Sequence, residues 1–128
     1  MAITDLTFDT LPAAIEADGI VFLDFWAAWC GPCRSFAPVF ERASEQHPDI
    51  VFGKVDTEAE QQLAAQFQIT SIPTLMVFRD GILVFSQAGA LGAPQLEQLI
   101  QGARDLDMAE VLKQVEAEER ARAASATN

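Results

Sequence analysis

Trp29-Cys30-Gly31-Pro32-Cys33 holds both cysteines of this 128-residue chain, two residues apart. Just upstream, Ile20-Val21-Phe22-Leu23-Asp24-Phe25-Trp26 has the pattern of a buried strand interrupted by one carboxylate. Just downstream, Phe36, Val39, Phe40 and Ala43 recur at helical spacing, so one face of a helix points inward. The cysteines therefore sit on a strand-to-helix turn. A thiol at a helix start faces unpaired N–H groups and the positive end of the dipole, which favours its thiolate. That field is worth about 0.3–1 kcal/mol, and up to ~2 kcal/mol in a partly buried site. At its upper limit it multiplies the thiolate fraction at neutral pH roughly fifteen-fold. A more acidic thiol is also less nucleophilic, which removes about six-fold and leaves about three-fold. Activation alone is a small effect, so docking geometry and the second chemical step carry more of the rate.

On this argument Cys30 is the nucleophile and is presented outward. Cys33 lies one helical turn further in, is less exposed, and attacks the mixed disulfide that Cys30 forms. Gly31 and Pro32 keep the turn tight and open the helix, because proline early in a helix gives up no needed N–H. The competing reading of C-x-x-C is half of a zinc site. Closed zinc sites take four ligands, and this chain offers two cysteines and the distant His47. Redox chemistry is expected, and no metal.

The chain has the length of one domain, and half its residues are hydrophobic, as in a folded globular protein. Nineteen acidic residues against eight basic ones give a net charge of −11. That balance repels phosphate backbones and anionic bilayers, so neither nucleic acid nor a membrane is an expected partner. No apolar run reaches the roughly 20 residues of a spanning helix. The N-terminus also lacks a basic leader, since the first basic residue is Arg34. The expected compartment is the cytoplasm, where two close cysteines are catalytic or metal-binding rather than structural.

Around the central motif the pattern alternates. Thr4–Leu6 reads as a short edge strand, and Asp9 or Thr10 caps a short helix that ends at Gly19. The helix carrying Phe36 contains Pro38, which should kink it, and it ends at His47-Pro48-Asp49, with His47 on the surface. Ile50–Asp56 reads as a strand. Thr57 and Glu60 have capping-box spacing and open a helix with Leu63, Ala64 and Phe67. Pro73–Arg79 and Ile82–Gln87 form a hairpin through Asp80-Gly81, and Leu96, Leu99, Ile100 and Ala103 mark an amphipathic helix after Pro94. This order predicts an α/β fold with a mixed sheet between helices. Residues 1–104 form the domain. Residues 105–128 form a helical extension capped by Asp107, with Met108, Val111, Leu112 and Val115 on one face and a frayed end over 123–128. That apolar stripe is expected to pack on its own domain.

Two residues keep open readings on pattern alone. Asp24, between Leu23 and Phe25, is either a desolvated carboxyl with a raised pKa that takes a proton from Cys33, or an acid turned to solvent or satisfied structurally. Trp29 is placed beside the thiols on a docking face, and Trp26 against the sheet.

Asp24-Phe25-Trp26-Ala27, Trp29-Cys30-Gly31-Pro32-Cys33 and Ile72-Pro73-Thr74 together resemble the thioredoxin family over roughly the first hundred residues. The resemblance implies the thioredoxin fold, a central mixed β-sheet flanked by helices on both faces. It implies a protein-disulfide reductase cycling between a dithiol and a Cys30–Cys33 disulfide. Asp24 becomes a catalytic acid–base with Lys54 beside it. The Ile72–Pro73 bond becomes cis, leaving the Ile72 backbone to pair with an extended substrate segment, and Gly89-Ala90 becomes the third loop of that surface. Implied partners are oxidised protein substrates and a separate thioredoxin reductase. No dinucleotide fingerprint is present and no cofactor is expected. A monomer is expected. Gly31-Pro32 resembles the reducing members rather than the oxidases or isomerases. The alternative is a redox-independent binding subunit or holdase that uses the acidic surface or the tail. Phe67-Gln68 departs from the aromatic–glycine pair of many thioredoxins, with little expected consequence for the chemistry.

Overall fold

The computed structural model describes residues 3–126 as a five-stranded sheet with helices on both faces. In chain order the elements are β1 (Ile3–Asp5), α1 (Leu11–Glu16), β2 (Ile20–Trp26), α2 (Gly31–Gln46), β3 (Val51–Asp56), α3 (Gln61–Gln66), β4 (Thr74–Arg79), β5 (Ile82–Ala88), α4 (Ala93–Arg104) and α5 (Met108–Ala126). The strands lie in the order β1-β3-β2-β4-β5. β1, β3 and β2 pair in parallel, whereas β2–β4 and β4–β5 pair antiparallel, so the sheet is mixed as expected. β2 is its centre, flanked on both edges.

Side chains alternate across a strand, so β2 feeds two cores. Val21, Leu23 and Phe25 join Leu6, Leu11, Val55, Leu63, Met76 and Phe78 under α1 and α3. Ile20 and Phe22 join Phe36, Phe40, Phe52, Leu75, Leu96 and Ile100 under α2 and α4. Removing each such side chain from water contributes about 1.5–3 kcal/mol, which is what fixes the register of the central strand. Position 24 falls by this alternation on the α2 side of the sheet.

The hairpin turn has φ of 51° at Asp80 and 82° at Gly81, the left-handed pair that a two-residue connection requires. It is tied to the loop before β2, where the Asp80 N–H donates to the Gly19 carbonyl and the Gly19 N–H donates to Asp80 Oδ1, both at 2.8 Å. β5 carries one extra residue opposite the Val77/Phe78 step, a local bulge. α2 continues through Pro38 as one helix from Gly31 to Gln46.

Several local expectations are corrected. The Thr57–Glu60 capping box does not form. Thr57 donates both its N–H and its hydroxyl to the Trp26 carbonyl, and Glu60 Oε1 accepts from the Phe8 N–H instead. Thr10 does occupy the cap position of α1, but its hydroxyl oxygen accepts from the Thr7 N–H rather than from the helix. His47 is half-buried at the surface, and its ring is engaged rather than free. Its side chain is 19% exposed, Nε2 lies 3.0 Å from the Glu97 carboxylate, and Nδ1 lies 3.0 Å from the Arg104 guanidinium. A guanidinium only donates, so Nδ1 accepts and the ring proton sits on Nε2, facing Glu97. Arg104 also clamps Asp49 with both nitrogens, and this hydrogen-bonded pairing holds the Asp49 carboxyl down at about 2.

α5 starts as expected, with Asp107 Oδ1 accepting from the N–H groups of Ala109 and Glu110. Its apolar stripe is only partly covered. Met108, Val111 and Val115 are half-buried, whereas Leu112 is exposed. The helix continues through 123–126, where a frayed end was expected, and residues 127–128 lie outside the described residues.

Gly53 sits in the middle of β3 where a methyl group has no room. A Cβ there would lie 2.5 Å from Leu6 Cδ1 and 3.1 Å from Leu23 Cδ2. Gly53→Ala should therefore cost about 1–3 kcal/mol of stability by overpacking, read as a lower midpoint in urea unfolding with an unchanged slope.

Candidate active site

β2 ends at Trp26, the chain turns through Ala27–Trp29, and α2 begins at Gly31 with Cys30 as its N-cap. The cap is made by sulfur: Cys30 Sγ accepts from the Cys33 N–H at 3.2 Å. Pro32 falls in the first turn, where its missing N–H costs nothing. Cys30 and Cys33 are joined as a disulfide, with Cα atoms 5.2 Å apart. Both cysteines are consequently covered, 4% and 3% exposed, and the expected contrast between an outward Cys30 and an inner Cys33 is absent. With its sulfur turned back over the helix start, Cys30 also packs beneath the Ile72 carbonyl, 3.7 Å away.

The Ile72–Pro73 bond is cis, as the resemblance implied. Ile72 packs with Trp26 against Ala27 and the two cysteines. The loop is braced by the Thr74 hydroxyl donating to the Ser71 carbonyl and by the Gly89 N–H donating to the Pro73 carbonyl at 2.8 Å. Gly89 has φ of +106°, so the turn that brings Gly89-Ala90 beside Pro73 favours glycine. Trp29 is 67% exposed beside the disulfide, and Gly31 and Pro32 lie at the rim. The structure thus brings Cys30, Cys33, Trp29, Gly31, Pro32, Ile72, Pro73, Gly89 and Ala90 into one neighbourhood from three loops.

Asp24 lies on β2 with no solvent exposure, and among the described residues neither carboxylate oxygen has a hydrogen-bond partner. Burial pushes its carboxyl up from 3.8 to about 7, with the Lys54 charge pulling the other way. The solvent-facing reading of Asp24 is therefore wrong. Lys54 stands directly across from it in the parallel β2–β3 register. Among the described residues no ion pair joins the two. Lys54 Nζ instead sits 4.4 Å from the Trp26 ring centroid, a cation–π contact. Trp26, whose buried Nε1 has no partner among the described residues, thereby links the lysine to the cysteine cluster.

One residue at this site was invisible in the sequence. Glu58, in the β3–α3 loop, accepts a 2.7 Å hydrogen bond from Trp29 Nε1. The two positions are 29 apart, and no local spacing pairs them.

A disulfide capping a helix beside a mixed sheet, with a cis-proline loop against it, defines an α/β thiol–disulfide oxidoreductase. The comparisons make this specific. The thioredoxin family model matches residues 2–102. A Streptomyces coelicolor protein that carries the name thioredoxin 2 is 51% identical over 119 residues, covering 93% of this chain and 88% of the relative. Thioredoxin 1 of Synechococcus elongatus is 45% identical over 91 residues, 70% of this chain and 83% of the relative. A point-mutant thioredoxin from Halobacterium salinarum superposes with a TM-score of 0.75 at 31% identity, over 81% of this chain and 92% of that one. The chain belongs to the thioredoxin family, and its Cys30–Cys33 pair makes it a thiol–disulfide exchange reductase. The family implies disulfide-bearing substrates and a reductase that restores the dithiol. A match of 119 residues also reaches into α5, so the likeness to the Streptomyces protein extends past the first hundred residues.

The orphaned carboxylate has a thermodynamic consequence. Asp24 titrates near 3.8 when unfolded and at about 7 in the fold, so between these values the folded protein holds the extra proton. Stability therefore falls as pH rises through this window and is lowest above about 7, by on the order of 4 kcal/mol. Asp24→Asn should be more stable than wild type by about 2–4 kcal/mol at pH 8, with the difference shrinking towards pH 4, as read by urea unfolding at each pH.

Proposed function

We propose that the chain reduces protein disulfides in the cytoplasm as a monomer, with Cys30 attacking, Cys33 resolving and Asp24 serving as the proton acceptor for the second step. The observation that carries this reading is the sulfur cap: Cys30 Sγ takes the Cys33 N–H in the first turn of α2, where a thiolate gains both a hydrogen bond and the helix field. In the first step the Cys30 thiolate attacks one sulfur of a substrate disulfide. A Cys30–substrate S–S bond forms, the substrate S–S bond breaks, and the departing thiolate takes a proton from solvent. In the second step Cys33 loses its proton to Asp24 and attacks Cys30 Sγ. The Cys30–Cys33 bond forms, the mixed disulfide breaks, and the second substrate sulfur leaves as a thiolate that takes a proton from solvent. Two electrons pass from the dithiol to the substrate, and a separate thioredoxin reductase returns them, placing the protein in a cellular electron-transport chain.

Trp29, Gly31, Pro32, the Ile72–Pro73 backbone and Gly89-Ala90 form the docking face in this reading, with an extended substrate segment laid along Ile72. Lys54 acts on Asp24 electrostatically, lowering its proton affinity against the dominant effect of burial. The net charge of −11 supports protein rather than nucleic acid or anionic bilayers as the partner. No helix among the described residues is long and apolar enough to cross a membrane.

Two outcomes check the assignment. Cys33→Ser should accumulate covalent complexes with disulfide-bonded proteins, visible as reductant-sensitive bands on a gel. If it captures nothing while the wild type reduces insulin, the two-step scheme is wrong. Asp24→Asn addresses the base. A thiol of ordinary pKa is only about 3% ionised at pH 7, so losing the base slows resolution by at most ~30-fold. Stopped-flow resolution of a preformed mixed disulfide should show a 10–30-fold deficit at pH 7 that closes as pH approaches 9. A deficit constant across that range contradicts the proton-acceptor role.

A further inference from the structure

We infer that the cleft between α1 and α3 is a docking site for a basic segment of a partner protein, one that presents a bulky apolar side chain flanked by lysine or arginine. The cleft lies across the sheet from α2, so a partner held there leaves the Cys30–Cys33 pair open to substrate. Buried Leu11 and Leu63 form its floor, and Phe8, Ile15 and Phe67 form its walls. Its volume is about 260 Å³, below the roughly 300–1,000 Å³ of a small-molecule site, so it suits one or two side chains of a larger partner.

The walls are fixed in advance. Phe8 is 43% exposed, and its backbone is pinned where the ring stands out from the surface. Its N–H donates to Glu60 Oε1 at 2.7 Å, the Thr7 N–H donates to the Thr10 hydroxyl at 2.9 Å, and the Leu11 N–H donates to the Thr7 carbonyl at 2.9 Å. On the other wall, Phe67 is seated against Phe25 and Phe78, with ring centroids 5.6 and 6.5 Å away. A preformed cleft lowers the ordering cost of binding.

Charge selects the occupant. Segments 6–19 and 56–68, which carry α1, α3 and their flanking loops, contain Asp9, Glu16, Asp18, Asp56, Glu58 and Glu60 and no lysine, arginine or histidine. The opposite layer carries Arg34 and Arg42 on α2 and Arg104 on α4. Asp56, Glu58 and Glu60 accept hydrogen bonds within the protein, whereas the side chains of Asp9, Glu16 and Asp18 have no partner among the described residues. Glu16 stands at the lip of the cleft. An apolar cleft with an unneutralised acidic rim holds an apolar side chain and attracts cations beside it. A second copy of this chain would bring two acidic rims together, so self-association through this face is disfavoured.

The experiment titrates the oxidised full-length protein, labelled with ¹⁵N, with the end-blocked peptide Lys-Lys-Leu-Phe-Lys-Lys, and runs insulin reduction in parallel. Amide shifts should centre on residues 8–16 and 63–67. Phe8→Ser and, separately, Glu16→Lys should each weaken the peptide about five- to ten-fold while insulin reduction stays at the wild-type rate. Both side chains are exposed, and the amide dispersion of each variant reports that the fold is kept. Salt at ~0.3 M should weaken binding as well. Leu112→Ser, which alters an exposed leucine on α5, should leave binding unchanged. Shifts centred on Trp29 and Cys30, or inhibition of insulin reduction by the peptide, would overturn the inference. So would equal binding of the glutamate analogue Glu-Glu-Leu-Phe-Glu-Glu, no shift at millimolar peptide, or a dimer in sedimentation that Phe8→Ser abolishes.

Discussion

A single contact organises this molecule: the Cys33 N–H pointing at Cys30 Sγ across the first turn of α2. For the sulfur to stand there, β2 must deliver the chain at a fixed height and α2 must start at a fixed angle. The sheet secures the first condition, since β2 is its central strand and is buried from Ile20 through Phe25. Phe36, Phe40 and Ala43 secure the second by seating α2 on the same face as Phe22 and Phe52. Phe40 packs edge-on against Phe52, with ring centroids 5.2 Å apart. The helix start is held by packing far from the sulfur, so local strain at the turn need not be invoked.

Against that apolar frame the fold carries one conspicuous cost. Asp24 is fully buried with no hydrogen bond to either oxygen among the described residues, in a strand where an apolar residue would be more stable. Lys54 only partly offsets this, because its ammonium lies over Trp26 rather than on the carboxylate. A stability-optimised core would not keep such a residue, and sites that violate core rules are where chemistry is to be sought. With its proton affinity brought to about 7, the carboxyl is poised to exchange a proton at physiological pH.

What the sequence disclosed follows the range of each interaction. The buried run of β2, the Asp80-Gly81 hairpin and the Asp107 cap depend on neighbours a few residues away, and all three form as read. The α2 start was readable because Cys-Gly-Pro-Cys carries its own cap and first-turn proline. Competition at long range defeated the rest. Thr57 has the spacing for a helix cap, but the Trp26 carbonyl 31 residues away takes its hydroxyl. Just past α3 and its C-cap Phe67, Gln68 takes a left-handed conformation, φ 55°, with the N–H of Gln68 on the Ala65 carbonyl and that of Ile69 on the Ala64 carbonyl. Glycine normally announces this stop, so a glutamine there hid it. His47 looked like an idle surface residue because Glu97 and Arg104, its partners, lie on α4. The cis Ile72–Pro73 bond had no signal beyond the family likeness, and Glu58 had none at all.

The measurement closest to the centre of this account is the rate of Cys30 alkylation by iodoacetamide in the fully reduced protein, followed against pH. Stabilisation of sulfur by the helix start places the midpoint of that profile below the midpoint of an unstructured cysteine peptide under the same conditions. A midpoint at or above the peptide's would mean that the α2 N-terminus does not favour the thiolate, and the assignment of Cys30 as the attacking sulfur would lose its physical basis.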